Sequence, residues 1–329
     1  MGSHLADALI KLQAEVHALV RRPQALRNLG HLTDRITLHR ADVRNYAQVR
    51  AALKPLKQAE GLIIFHLAAQ AHVGDSWKQP EITLETNVLG TLNLLQAALD
   101  LDLRLHCLDY AGTSEEYGRF DETRSDQYRR DADGKVLLNE RSPLNPQSVY
   151  ATSKVAADFL CRDFHAAYGL PVVVTRMFNN FGPRQHPRFI TGSVIAQALT
   201  KSAIEIGSMK ARRDFTFIKD GVRGHLLAAL YGSPGEVYLF GQGKNSSIAE
   251  WVELIHKIGT EQGYWPAREI VVKSERFRPG RTDEADLLAD SAELHRLTDW
   301  QPQVSWEEGI VLTIQWYAKN RSSWQGLML

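Results

Sequence analysis

Cysteine is nearly absent from this chain of 329 residues. Cys107 and Cys161 both lie inside apolar stretches without metal-ligand spacing, so they read as buried thiols in a reducing compartment rather than as a disulfide. Charge of one sign is lacking too. Lys and Arg number 39 against 38 Asp and Glu, a formal net charge of +1, which argues against nucleic acid or an anionic membrane as the main partner. Any anion site has to be local. No apolar run approaches the ~20 residues that span a bilayer, and no signal-peptide pattern precedes the first helical segment; the chain reads as cytoplasmic.

What is present is alternation. Strand-like runs, "AEVHALV" (14–20), "RITLHRADV" (35–43), "GLIIFHLAA" (61–69), "RLHCLDYAGT" (104–113) and "PVVVTRMFN" (171–179), are separated by segments of helical period such as "PEITLETNVLGTLNLLQAALDL" and "SVYATSKVAADFLCRDFHAAYG". Apolar strands joined through helices make a parallel sheet covered on both faces, because parallel neighbours need crossover connections. The expected fold is α/β, a doubly wound, Rossmann-like parallel sheet. Beyond about residue 180 the strands shorten ("RDFTFIKD", "EVYLFGQG", "EIVVKSERF"), which predicts a smaller α/β lobe with some segments returning to the main sheet. The charged, aperiodic stretch 120–139 predicts an exposed loop or lid.

A glycine-rich turn is the third lack. In a doubly wound dinucleotide fold the first strand enters such a turn, whose amides and following helix N-terminus hold a pyrophosphate. Here "MGSHLADALI" opens the chain, and Gly2 reads as the last glycine of that loop at the start of the first helix. On this reading the first strand is absent, roughly ten residues with it. The alternative is that "MGSH" is a tag remnant.

"SVYATSK" places Tyr150 and Lys154 four apart, on one face of a helix. A phenol beside an ammonium is a base whose proton affinity is lowered toward neutral pH; the alternative is a surface tyrosine and lysine. "AGTSEEYG" ends the preceding strand and puts Thr113, Ser114 and Glu115 at the carboxyl edge of the sheet, where ligands of such folds bind.

With "HLAAQAHVGDSW", "NVLGTLNLLQA", "TSEEYG", "SPLNPQSVYATSK", "FNNFGPRQHPRFIT", "RRDFTFIKDGVRGHLLAA" and "RFRPGRTDEADLLAD", the chain resembles the extended short-chain dehydrogenase/reductases of the nucleotide-sugar epimerase/dehydratase family, and among them most the GDP-mannose type of 4,6-dehydratase. The resemblance runs from Gly2 to about Lys319. It implies that Tyr150 takes the proton of a sugar C4 hydroxyl while hydride passes to a nicotinamide, with Lys154 lowering the phenol pKa and holding the nicotinamide ribose. Glu115 would be the C5 base and Thr113 would hold the C4 oxygen; water leaves from C6 and hydride returns there. The dTDP-glucose dehydratases carry Asp where Ser114 stands, so the identity of the general acid stays open.

The resemblance also implies a nucleotide-binding part, 1–182 plus 214–244, and a nucleotide-sugar lobe, 183–213 plus 245–329. For the cofactor, Arg21 and Arg22 end the second strand of the pattern where NAD-preferring folds usually place an acid. They suit a 2′-phosphate and hence NADP, with NAD and an ordinary basic turn as alternatives. Asp42 and Val43 would lie at the adenine, and the turn Leu67, Ala68, Ala69, Gln70 beside the cofactor; Asn87 reads as a tie between strands. The family pattern puts Asn179, Arg213 and Arg278 at the substrate diphosphate and Ser76 near the sugar, with Arg184 and Arg188 as further candidates.

His66 and His72 lack a third ligand, so no metal is expected; Trp251, Trp306 and Trp316 read as core. The family pairs the helices of 80–99 and Tyr150 with their copies in a four-helix bundle, giving a homodimer or homotetramer, although burial within one chain explains the same apolar pattern. Two other readings stand beside the dehydratase: a nucleotide-sugar C4 epimerase or uronate decarboxylase, and a truncated, catalytically inactive paralogue.

Overall fold

Short, largely apolar runs become strands β1 (Val16–Val20), β2 (Ile36–Arg40), β3 (Leu62–His66) and β4 (Leu105–Ala111). The later strands are β5 (Arg129–Arg130), β6 (Val136–Leu137), β7 (Val172–Met177), β8 (Asn179–Phe181), β9 (Ala203–Ile206), β10 (Arg212–Phe217), β11 (Val237–Phe240), β12 (Asn245–Ser247), β13 (Glu269–Val272) and β14 (Asp286–Leu287). The computed structural model describes residues 1–279 and 284–328; the Gly280 to Asp283 part of "RFRPGRTDEADLLAD" lies outside the described residues. The main helices are α1 (Gly2–Lys11), α2 (Tyr46–Leu53), α3 (Val73–Lys78), α4 (Pro80–Leu84), α5 (Gly90–Asp100), α6 (Val149–Tyr168), α7 (Ile190–Thr200), α8 (Ile218–Tyr231) and α9 (Ile248–Glu261).

Among the described residues the central sheet has the order β3-β4-β7-β11, all parallel, with Phe65 opposite Asp109 and Asp109 opposite Val173. Strand side chains alternate between faces, and both faces are covered. Leu108, Tyr110, Val172 and Val174 pack with Leu94, Leu95, Ala157 and Cys161 of α5 and α6, while Cys107 and Val173 pack with Ala228 and Ala229 of α8. Double coverage is why these strands read as continuous apolar runs. Both cysteines are buried free thiols. β1 and β2 form a separate parallel pair, its core made with Ala6 and Ile10 of α1.

The second part of the molecule gathers β10 between β12 and β14, with β8 along its far half, and pairs β9 with β13. Its core holds Phe181, Phe215, Phe217 and Trp251, the last stacked on Phe215 at 4.0 Å, with Trp306 and Trp316 packed against it. "EVYLFGQG" lies in the main sheet, as β11 beside β7. The 120–139 stretch is more ordered than its composition implies. β5 and β6 form a small antiparallel pair around the Asp131–Gly134 turn, and Arg129 reaches Asp290 at 2.6 Å. Two-residue strands carry no readable alternation, which hides such a hairpin from sequence.

Close approaches explain two glycines at the edges of the site. A Cβ on Gly90 would stand 2.8 Å from Val43, which packs there, and one on Gly118, at φ +55°, would meet the Asn145 carbonyl at 1.8 Å.

Candidate active site

β4 delivers its last residues into a short helical turn, Ser114–Glu116, capped by Thr113. The Thr113 hydroxyl accepts the Glu115 N–H at 3.3 Å, and the Glu116 carboxylate accepts the Thr113 N–H at 2.9 Å. This reciprocal cap fixes the turn at the carboxyl edge of the sheet. Facing it, α6 starts at Ser148, whose hydroxyl accepts the Ala151 N–H at 3.1 Å, and ends at Gly169 in the left-handed region. Tyr150 and Lys154 sit on the buried side of its first turns.

The Tyr150 phenol lies close enough to the Thr113 side chain, Glu115 and Glu116 for all three to act on its titration. Strand β4 and helix α6 therefore bring Thr113, Glu115 and Tyr150 to one place. One expectation is corrected. The phenol pKa stands above its ordinary value, chiefly through burial, with the nearby Thr113 side chain opposing and the two carboxylates adding to the rise. The Lys154 ammonium lies 4.2 Å from the centre of the Tyr110 ring, a cation–π contact. Burial pushes its pKa down to about 8, against the pull of Glu116.

Behind this pair runs an ion cluster that the sequence reading missed. Arg176 of β7, 2% exposed, lies 3.1 Å from Glu116 and donates to Asp158 of α6 at 2.9 Å and to the Tyr117 hydroxyl at 3.0 Å. Asp158 also takes Arg162 at 2.7 Å. Burial pushes the Glu116 carboxyl up to about 8, opposed first by Arg176. The available signal was Arg176 itself, a lone cation in an apolar strand, which has to find a buried anion.

The candidates for anion binding have diverse surroundings. Arg213, 3% exposed on β10, lies with its Nε 3.2 Å from Glu115 and donates from Nη1 to the carbonyls of Ala285 and Arg212 at 2.6 and 3.0 Å. Asn179 begins β8 alongside it, opposite Phe215. Arg184 pairs with Asp7 of α1 at 2.7 Å, and Arg188 pairs with Asp75 of α3. Ser76 is fully buried and spends its hydroxyl on the Val73 carbonyl at 2.7 Å. Arg278 is half-buried and close enough for its charge to lower the His72 pKa. Arg213 contacts the Thr113–Glu115 turn directly, through Glu115.

On the cofactor side, Gly2 opens α1 beside Leu67. The turn after β3 carries Ala68, Ala69 and Gln70, and Asn87 clamps it: its side chain accepts the Gln70 N–H at 2.8 Å and donates to the Gln70 carbonyl at 3.1 Å and to Ser153 at 2.8 Å. Asn87 stands in a π-helical turn, Glu85–Leu89, between α4 and α5, the kind of helix irregularity that gathers at functional sites. Gln70 Oε1 is buried without a partner, and Asn87 links this turn to Ser153, the neighbour of Lys154. An orphan buried acceptor on the turn after β3 fits a bound group with donors, so this turn suits a nicotinamide dinucleotide. Asp42 accepts hydrogen bonds from the Arg44 guanidinium at 2.8, 3.1 and 3.2 Å and from its backbone N–H at 3.0 Å, which lower its pKa, and Arg21 adds to this from the exposed Arg21–Arg22 turn. His66 is buried against Thr91 at 2.9 Å and His72 caps α3.

A parallel sheet with a Tyr-x-x-x-Lys helix facing a Thr-Ser-Glu strand end defines an extended short-chain dehydrogenase/reductase. The chain belongs to the GDP-mannose 4,6-dehydratase family, whose model matches residues 1–313. A dTDP-glucose 4,6-dehydratase from Xanthomonas campestris is 32% identical over 278 residues, covering 80% of this chain and 75% of the relative. A GDP-6-deoxy-D-mannose reductase from Pseudomonas aeruginosa is 29% identical, covering 78% and 81%. The crystal structure of DesIV, a dTDP-glucose 4,6-dehydratase from Streptomyces venezuelae with NAD bound, superposes with a TM-score of 0.84 at 28% identity over 99% of this chain and 96% of that one.

Proposed function

We propose that this protein is a nucleotide-sugar 4,6-dehydratase acting on a nucleoside-diphosphate hexose of the GDP-mannose type, with NADP as cofactor and NAD as the alternative, in a cytoplasmic setting. The observation that carries the reading is the meeting of Tyr150, Thr113 and Glu115 at one sheet edge, with Arg213 against Glu115. A phenol and a carboxylate from different elements then address adjacent carbons of one ring.

In this reading Tyr150 takes the C4 hydroxyl proton while Thr113 holds the C4 oxygen. Lys154, one helical turn beyond Tyr150, holds the cofactor ribose. When bound, the nicotinamide supplies the acceptor for the C4 hydride, its return to C6, and a positive charge that favours the phenolate. The C4 ketone acidifies C5–H, and Glu115 removes that proton; the C6 hydroxyl takes up one proton to leave as water and one returns to C5 as hydride adds at C6, balancing the two taken by Tyr150 and Glu115. Gly2, Leu67, the Ala68–Gln70 turn, Asp42 and Val43 would line the cofactor, with Arg21 and Arg22 toward a 2′-phosphate. Asn179, Arg213 and Arg278 would take the diphosphate. Residues 1–182 plus 214–244 would form the nucleotide-binding part and 183–213 plus 245–329 the sugar lobe.

Trp77, Ile82, Leu84, Leu89 and Phe159 leave 38 to 50% of their surface exposed on the α3 to α5 region and α6. They support a homodimer or homotetramer through a bundle of these helices.

The test is Glu115→Gln assayed with GDP-mannose and dTDP-glucose. A dehydratase stops forming keto-sugar, whereas a C4 epimerase, which needs no C5 base, stays largely active.

A further inference from the structure

Glu115 and Arg213 come from different parts of the fold, one from the turn after β4 and the other from β10, 98 residues apart in sequence. Their contact, Nε to Oε1 at 3.2 Å, ties down the Glu115 side chain, which keeps 13% exposure. Arg213 is the fixed partner. Its side chain is 4% exposed and its Nη1 is anchored on two backbone carbonyls of β10 and the segment entering β14. A guanidinium so held cannot follow a moving ligand, while a carboxylate on a short turn can be released from it.

We infer that Arg213 couples the two halves of the site: it holds Glu115 in the free protein, and a substrate diphosphate that takes over the guanidinium sets the carboxylate free to act as base. This rests on the reading under Proposed function. A diphosphate brings more negative charge and more acceptors than one carboxylate oxygen, and charge-assisted bonds to guanidinium favour it. Breaking the pair without a replacement leaves a desolvated cation, which is costly. The exchange therefore proceeds when the diphosphate arrives and not before. The consequence is order: the base is armed by the part of the substrate remote from the reacting carbons, so a hexose without its diphosphate meets a carboxylate that is still engaged.

The test is a double-mutant cycle on binding, using dTDP and GDP as probes and titration calorimetry on the full chain. Glu115→Gln is expected to tighten diphosphate binding about three- to tenfold, because the ligand no longer competes with a carboxylate. Glu115→Asp, which keeps the charge on a shorter arm, tightens it in the same direction. On an Arg213→Gln background, where affinity is already reduced, Glu115→Gln changes nothing. Tightening by Glu115→Gln that persists without Arg213, or that is absent from Glu115→Asp, is general repulsion and overturns the coupling; so does failure of every variant to bind either probe. Should Arg213→Gln not fold, the Glu115→Asp and Glu115→Gln pair still decides. A protein that shows the cycle yet makes no keto-sugar keeps this coupling and loses the dehydratase reading. One that makes keto-sugar without the cycle loses the coupling alone.

Discussion

The Glu116 carboxylate accepts the Thr113 backbone N–H at 2.9 Å while lying 3.1 Å from Arg176. The same group thus closes the turn that presents Thr113 and Glu115 and meets a buried guanidinium. Glu116→Gln keeps an acceptor for Thr113 and loses the charge, whereas Glu116→Ala loses both. Urea unfolding should show Glu116→Ala destabilised by about 3–5 kcal/mol and Glu116→Gln by less, with kcat falling further in the alanine variant. Equal losses would mean that the cap contributes nothing.

Tyr150→Phe removes the phenolic proton carrier without changing volume. Turnover should fall by roughly 10²–10⁴, the usual contribution of a positioned base, with thermal stability nearly unchanged. An active Tyr150→Phe enzyme would move the base elsewhere.

His66 is buried beside Lys154, and burial followed by that charge holds its pKa down to about 3 against an ordinary 6.5. The folded state then binds fewer protons than the unfolded chain between these values, so the contribution is present above pH 6.5 and is lost as pH falls toward 3. Between pH 7 and 5 the protein should lose about 2 kcal/mol more than His66→Gln does. Parallel pH profiles of stability would contradict the assignment.

Arg21→Ala combined with Arg22→Ala should weaken NADP binding roughly 10- to 100-fold, the worth of charge-assisted bonds to a phosphate, and leave NAD within a few-fold. Equal effects on both would remove the 2′-phosphate role.

Sedimentation should give a species of at least dimer mass. Leu84→Glu with Phe159→Glu, at positions 43% and 47% exposed, should shift it to monomer; a wild-type monomer ends the bundle proposal.

How much of this was readable in advance depended on range. The strands at 16–20, 62–66, 105–111 and 172–177 fell inside the apolar runs, most plainly β4 and β7, where burial on both faces writes itself into nearly every residue. Tyr150 and Lys154 were legible through the helical period. Arg184 and Arg188 were not, since their acids, Asp7 and Asp75, lie 177 and 113 residues away and no local pattern announces a pairing across the fold. Glu115 and Glu116 look alike in "TSEEYG"; the turn that follows β4 buries one and leaves the other at the site edge. The raised phenol pKa was also out of reach, because it depends first on how deeply the folded chain buries Tyr150 and then on the nearness of Glu115 and Glu116.

The central claim is that oxidation at one ring carbon loosens a proton on the next, and turnover of GDP-mannose and dTDP-glucose in deuterated water tests it most directly. The account predicts a 4-keto-6-deoxy product from one of them, carrying one solvent deuteron at C5 and, from 4-deuterated substrate, the C4 label at C6. A C4 epimer with C5 unlabelled and the original label still at C4 would contradict it.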